Sequence, residues 1–342
     1  MLDIVVHNLV SPVVLFFVLG LFASFVKSDL KFPAGLSEFL SIYLLIAIGL
    51  KGGMELAEHS LTHLVKPILG ALLLGVIIPL LTLLFCRWIK LDLKNSIGLA
   101  ATYGSVSIVT YGAGISFLSH ANVTYESFMN AMVVMMESPA ILVSLLLLKA
   151  AEARKKNHAH LHPRAMGIMA PRSLSLTSWV EPEVIRESLF GKSVLLLVGS
   201  MLVGLIVGEE AVPVVKPLFI DLYKGFLILF LLNMGLVAGQ RLADVTKHGI
   251  KLVSLAVIMP LCFGLLGVVV GSAAGLSLGG VTLMGILAAS SSYIAAPAAL
   301  RTSVPEANPS IYLGLSLGIT FPFNLTVGIP VYYQMAQWML NL

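Results

Sequence analysis

Charge is scarce in this chain of 342 residues: Asp, Glu, Lys and Arg make up 11% of it, against 58% hydrophobic residues. A soluble domain carries about twice that charge, so an aqueous globular fold is excluded and an all-α, polytopic membrane protein is indicated. Cysteine is nearly absent too. Cys86 and Cys262 lie in or at the ends of apolar runs, where they read as packing residues without a disulfide framework. A formal charge of +4 calls for no nucleic-acid partner, because the basic residues sit between apolar runs as anchors. The first apolar run, 10–26, has no basic region before it and no small-residue cleavage motif, so it reads as a retained span rather than a leader.

What is abundant is apolar sequence in lengths that suit a bilayer. Ten spans are expected, at about 10–26, 34–50, 67–86, 96–118, 126–148, 193–208, 220–239, 250–272, 280–300 and 309–338. A polar stretch rich in Arg, Lys, His, Ser and Pro separates them into two groups, which gives a first unit at 1–150, a basic linker at 151–190 and a second unit at 191–342. A short amphipathic helix is expected within the linker at Glu183–Leu189. With the N-terminus outside, 17 of the 21 basic residues fall in inside loops. Basic residues concentrate on the cytoplasmic side, so a multi-pass protein of the plasma (inner) membrane is expected, with both termini outside and the linker in the cytoplasm.

The two groups also repeat each other. IAIGLKGGMELAE (Ile46–Glu58) lies over LNMGLVAGQRLAD (Leu232–Asp244), GVIIPL (Gly75–Leu80) over AVIMPL (Ala256–Leu261), and GLAATYGS (Gly98–Ser105) over GILAASSS (Gly285–Ser292), with Asn122 over Asn308. The offsets stay between 181 and 187 residues. Five spans per repeat is an odd number, so the second repeat enters the membrane from the opposite side. The expected architecture is a 5+5 inverted repeat with a site at mid-depth.

Two stretches begin as membrane spans and then stop behaving like them. GILAASSSYIAAPAALR (Gly285–Arg301) places Ser290, Ser291 and Ser292 at bilayer depth with Pro297 shortly after. GLAATYGSVSIVTYGAGISFL (Gly98–Leu118) is interrupted by Gly104, Ser105, Ser107, Thr110, Gly112 and Gly114. Proline removes a backbone donor and clashes with the preceding turn, and a break in hydrocarbon survives only where it is packed in protein or lines a cavity. Paired broken helices expose two half-helix N-termini, whose N–H groups and partial positive charge suit an anion. The hydroxyls of Ser105, Ser107, Thr110, Ser290, Ser291 and Ser292 add donors. No Lys or Arg lies among them, which points to a small, singly charged solute. The same small residues also allow plain close helix packing.

Glu137 lies about twelve residues into the fifth span, beside Ser138 and Pro139. An acid that deep costs about 2.5–3.5 kcal/mol or more to insert and marks an ion pathway. It offers oxygen ligands for Na+ or a proton acceptor; the plainer alternative is a neutral Glu bonded to a neighbouring helix. Asn324, in GITFPFNLTVGIP, is its polar counterpart in the last span, which Pro322 and Pro330 make irregular. His158, His160 and His162 alternate in the linker without cysteines or carboxylates set around them and read as a solvated tract rather than a metal site. The remaining histidines lie near span ends. The serine triplet therefore has no general base, and an intramembrane hydrolase is disfavoured.

The residues resemble the sodium-dependent bicarbonate transporter family. The resemblance is most specific in ASSSYIAAPAALRTSVPEANPSIYLG (Ala289–Gly314) and continues in IGLKGGMEL (Ile48–Leu56), YGSVSIVTYGA (Tyr103–Ala113) and YESFMNAMVVMMESPAIL (Tyr125–Leu142). It implies a 5+5 inverted repeat with core and gate domains, crossed half-helices, Na+-coupled bicarbonate uptake, a homotrimer, and in many members a PII-like soluble regulator on the cytoplasmic face. By position it assigns bicarbonate to Gly104, Ser105 and Ser107 with Ser290, Ser291 and Ser292, and Thr110 joins them as a hydroxyl of the same break. Glu137, Ser138, Asn324 and Tyr293 are the candidates for coupling to Na+ or a proton. Two positions depart from the family: Glu137 stands where it has Asp, and Tyr293 stands where an Asp follows the triplet. The second change removes a carboxylate. It leaves open a lost sodium ligand, weaker coupling, or a different small anion such as a short carboxylate.

Overall fold

A computed structural model of the chain describes residues 6, 8–33, 35–57, 61–159, 186, 190–245 and 249–341. Among the described residues there are helices and no strands. The linker's expected helix at Glu183–Leu189 lies outside them, apart from the single residue Arg186.

The helices start where polar residues can cap them. α1 (Pro12–Phe25) begins at Ser11, whose hydroxyl accepts the N–H of Val14, and places Pro12 in the first turn, where no backbone donor is required. α2 (Leu36–Ala57) and α3 (Leu61–Trp88) follow. Asp92 caps α4 (Leu93–Gly104) by accepting from the Asn95 N–H at 3.0 Å. After a short break α5 (Ile108–His120) leads to α6 (Met129–Ala159). The second half begins with α7 (Lys192–Val207) and, after a short helical stretch at 208–221, α8 (Tyr223–Val245). α9 (Ile250–Ala273), α10 (Leu278–Ala289), α11 (Ala295–Ser303) and α12 (Pro309–Leu340) complete it.

Among the described residues six helices are long and apolar enough to cross a membrane, and three more apolar helices are shorter. The expected fourth and ninth spans are absent from the six because each is divided: α4 and α5 have 12 and 13 residues, α10 and α11 have 12 and 9. A full crossing takes about 20 residues.

Prolines occur in two settings. Pro79, Pro139 and Pro260 all lie inside unbroken helices. Pro297 does not end α10, which stops at Ala289; it lies in the first turn of α11, where its missing N–H is not needed. α6 also continues past Lys149, where the polar linker was expected to begin, as far as Ala159. The last span is irregular, as its prolines suggest, with π-helical turns at Ser316–Thr320 and Asn324–Gly328.

The most extensive pairings are reciprocal: α1 packs on α8 and α2 on α7, while α3 covers α4 and α6 and α9 covers α10 and α12. The matched glycines explain the first two. A Cβ on Gly49 or Gly53 would fall on the carbonyl oxygens of Leu197 or Met201 in α7, and one on Gly235 on that of Phe17 in α1. Gly204 and Gly20 return the contact against Leu50 and Leu232. Small residues let helix backbones approach this closely in a bilayer, where burial of apolar surface contributes no drive to associate. The broken helices are tied at their far ends in the same reciprocal way. Ser277, which caps α10, donates its N–H and O–H to Glu126 in the loop after α5. Asn95, in the first turn of α4, accepts the Asn308 N–H from the loop after α11 at 2.7 Å.

Candidate functional site

The two breaks lie against each other. Thr102, in the last turn of α4, gives its carbonyl to the N–H of Ser292 at 2.7 Å. Ser107, the residue before α5, donates its N–H to the hydroxyl of Ser290 at 2.9 Å. Backbone that neither half-helix can satisfy alone is thus satisfied by the other break, which is how irregular chain persists away from water.

The serine triplet divides its work three ways. Ser290 is engaged as both acceptor and donor, since its hydroxyl also donates to Leu287 O at 2.8 Å. Ser291 pairs with Ser316 of α12 at 2.8 Å. Ser292 accepts the N–H of Ala296 in the first turn of α11 at 3.2 Å. Ser107 does the equivalent for α5, accepting the Thr110 N–H at 3.2 Å and the Thr110 hydroxyl at 3.0 Å. Ser107 and Ser292 therefore cap the two half-helices and use their lone pairs inward, which leaves each O–H proton to donate elsewhere.

That elsewhere is a small cell of about 10 Å³, lined by Ser107, Glu137, Ser193, Ser292 and Tyr293 with Leu45 beside them. It has room for about one water molecule. Glu137 is 3% exposed, and its Oε2 has no hydrogen-bond partner. Among the described residues no Lys, Arg or His lines the cell. A wider cavity of about 630 Å³ adjoins it, with Tyr293, Ile294, Leu45 and Ser193 common to both. Ser37, Glu38, Lys192, Pro297 and Arg301 line its outer part, where Glu38 and Lys192 form an ion pair. A volume of this size is usual for a ligand pocket.

Of the residues expected at the site, the cell brings together Ser107, Ser292, Glu137 and Tyr293. Gly104 is there for close approach, since a Cβ would meet Pro79 of α3 and Ala140 of α6. Ser105 is fully buried at the end of α4, with its hydroxyl unpartnered and outside the cell lining. Asn324 lies on a π turn of α12 and closes the end of α10, donating to Ala289 O at 2.8 Å and accepting from the Tyr332 hydroxyl at 2.8 Å. The side chain of Ser138 lies outside the described residues. Sequence reasoning missed Ser193, which comes from the first turn of α7, and Ser316 and Tyr332, which hold Ser291 and Asn324. Ser316 and Tyr332 flank the proline-rich stretch whose irregularity was the available signal.

Among the described residues no group of three or more His, Cys, Asp or Glu could hold a metal ion. The polar side chains that line the cell, Ser107, Glu137, Ser193, Ser292 and Tyr293, all present oxygen, which suits a hard cation. Residues 12–337 match the Na+-dependent bicarbonate transporter superfamily. The chain belongs to that superfamily. No curated protein matches it. Membership in the Na+-dependent bicarbonate transporter superfamily accounts for a helical, multi-pass membrane protein with transport as its role, and sets the two breaks and the acid beside them in that context.

Proposed function

We propose that the chain is a secondary active transporter, a Na+-dependent bicarbonate symporter that binds its anion between the N-termini of α5 and α11. The observation that carries this reading is the meeting of two half-helix N-termini, capped by Ser107 and Ser292, at one cell with an unpartnered Glu137 oxygen. Helix N-termini favour negative charge through their free N–H groups. The O–H groups of Ser107 and Ser292 donate to the anion, with Ser105 and Thr110 beside them, and Gly104 gives the breaks their close packing. Ser290 and Ser291 hold the breaks in register. Glu137, with Ser138 and Ser193, takes the Na+. Asn324 fixes the end of α10, and Tyr293 stands at the entrance. No enzymatic role is proposed.

In this reading the fold is a 5+5 inverted repeat of ten spans, 1–150 and 191–342, joined by the linker at 151–190. The gate domain is α1, α2, α7 and α8, and the core domain is the remainder. Reciprocal helix pairing and the matched glycines support it. Lys94 at the start of α4 and Arg301 near the end of α11 face the cytoplasm, and both termini lie outside the plasma membrane. The assembly is a homotrimer in the lipid bilayer, and a PII-like soluble regulator docks on the cytoplasmic face.

One observation favours a second reading. Tyr293 lines the cell and leaves Glu137 as the one carboxylate among its described lining residues, so Na+- or H+-coupled transport of another small monovalent anion, such as a short carboxylate, is the alternative. Uptake of labelled bicarbonate into proteoliposomes, with and without a Na+ gradient, separates the two. Uptake that rises with inward Na+ supports the first reading, and uptake of a short carboxylate but not bicarbonate supports the second.

A further inference from the structure

The cell and the wide cavity share a wall, and Tyr293 is its central piece. Its residue is half-buried, because the side chain also lines the wide cavity, whereas its hydroxyl is fully buried beside the Ser107 hydroxyl. The ring packs edge-on against Phe321 of α12, with centroids 5.5 Å apart at 67°. Ile294 extends the wall from the same break, and Leu45 and Ser193 close it from α2 and α7.

The volumes on the two sides do not match what the site has to hold. A cell of about 10 Å³ takes about one water. An anion with one carbon and three oxygens needs several times that space, and the 630 Å³ cavity, which Tyr293 also lines but Ser107 and Ser292 do not, offers it. The capping hydroxyls of Ser107 and Ser292 face the small side. We propose that Tyr293 is the specificity-determining barrier of this chain: its ring must leave the wall before an anion reaches Ser107 and Ser292, and while it stays, only water or a bare ion fits beyond it. This inference rests on the reading of the cell as an anion site.

Ser107 is the polar neighbour of the buried O–H, and edge-on packing against Phe321 holds the ring. Swinging toward the wide cavity would let the hydroxyl find water or solute.

The test measures access and needs no transport. Ser292→Cys is introduced into full-length protein in which Cys86 is Ala and Cys262 is Ser, reconstituted in lipid nanodiscs. The probe is 2-sulfonatoethyl methanethiosulfonate, a small anionic thiol reagent, and the readout is its rate of reaction. The expected result is slow labelling that rises at least tenfold in Tyr293→Ala and does not rise in Tyr293→Phe, because the ring and not the hydroxyl forms the wall. Tyr293→Val is read the same way should Tyr293→Ala fail to give monodisperse protein. Labelling in the Ala or Val variant no faster than in the tyrosine parent would overturn the proposal, as would a Phe variant as fast as Ala. A tenfold rise in a protein that neither binds nor moves bicarbonate would keep the barrier and remove only the substrate assignment.

Discussion

Ser290→Ala separates a residue that holds the two breaks together from one that touches solute. The Ser290 hydroxyl is the acceptor for the Ser107 N–H at 2.9 Å and is itself fully buried. Alanine removes that acceptor and leaves a buried donor unsatisfied. Such a loss costs about 1–3 kcal/mol, whereas removing both partners of a bond can be nearly neutral. The other partner suffers less, because Leu287 O still accepts the Ser290 N–H at 3.1 Å. Nearly all of the cost therefore falls on the contact between the breaks. Ser292→Ala differs: the Ala296 N–H it abandons lies next to the cell, where one water can replace the hydroxyl. Equilibrium unfolding in detergent should show Ser290→Ala destabilised by about 1–3 kcal/mol and Ser292→Ala by less than 1 kcal/mol. Equal stability for Ser290→Ala and parent, or a larger loss for Ser292→Ala, would refute the division of roles within the triplet.

Glu137→Gln keeps the shape and removes the charge, so folded yield should persist while Na+ activation of uptake is lost; unchanged Na+ activation would reduce Glu137 to a packing residue. Gly53→Ala drives a methyl group into the Met201 carbonyl and must separate α2 from α7, at a cost of about 1–3 kcal/mol for overpacking; an unfolding midpoint equal to the parent's would contradict the close pairing. Glu306 is exposed and lies near Lys94, the two forming an ion pair at 3.8 Å. A cysteine there, in protein lacking Cys262, should react with an impermeant reagent only after cells are opened, and labelling of intact cells would reverse the proposed orientation.

Much of this was legible in the sequence where one physical cause acts alone. Apolar length marks the spans. Glycines matched across the halves mark the positions where backbones touch, and Gly49, Gly53 and Gly235 all do so. Charge-free runs of serine and glycine locate both breaks, because polar hydroxyls and missing side chains have few other reasons to lie together in an apolar span. The work of each hydroxyl was not legible. Ser290, Ser291 and Ser292 are adjacent and identical in sequence, yet they face another break, another helix and the cell, since an extended chain turns successive side chains in different directions. Ser193 was missed because it reaches the cell only through the packing of α7 on α2. Pro297 misled, because α10 already stops at Ala289 and the first turn of α11 accommodates the proline without any break of its own.

The central claim is that two half-helix N-termini, completed by Ser107 and Ser292, bind the anion. Equilibrium binding of labelled bicarbonate to the purified protein in Na+, compared between parent and Ser292→Ala, tests it most directly. A hydrogen bond to a charged group contributes about 1.5–3 kcal/mol, which is roughly a ten- to a hundredfold change at about 1.4 kcal/mol per decade. The expected result is Na+-dependent binding by the parent that weakens by that factor in Ser292→Ala, with the fold intact. Equal affinity in the two proteins would contradict it.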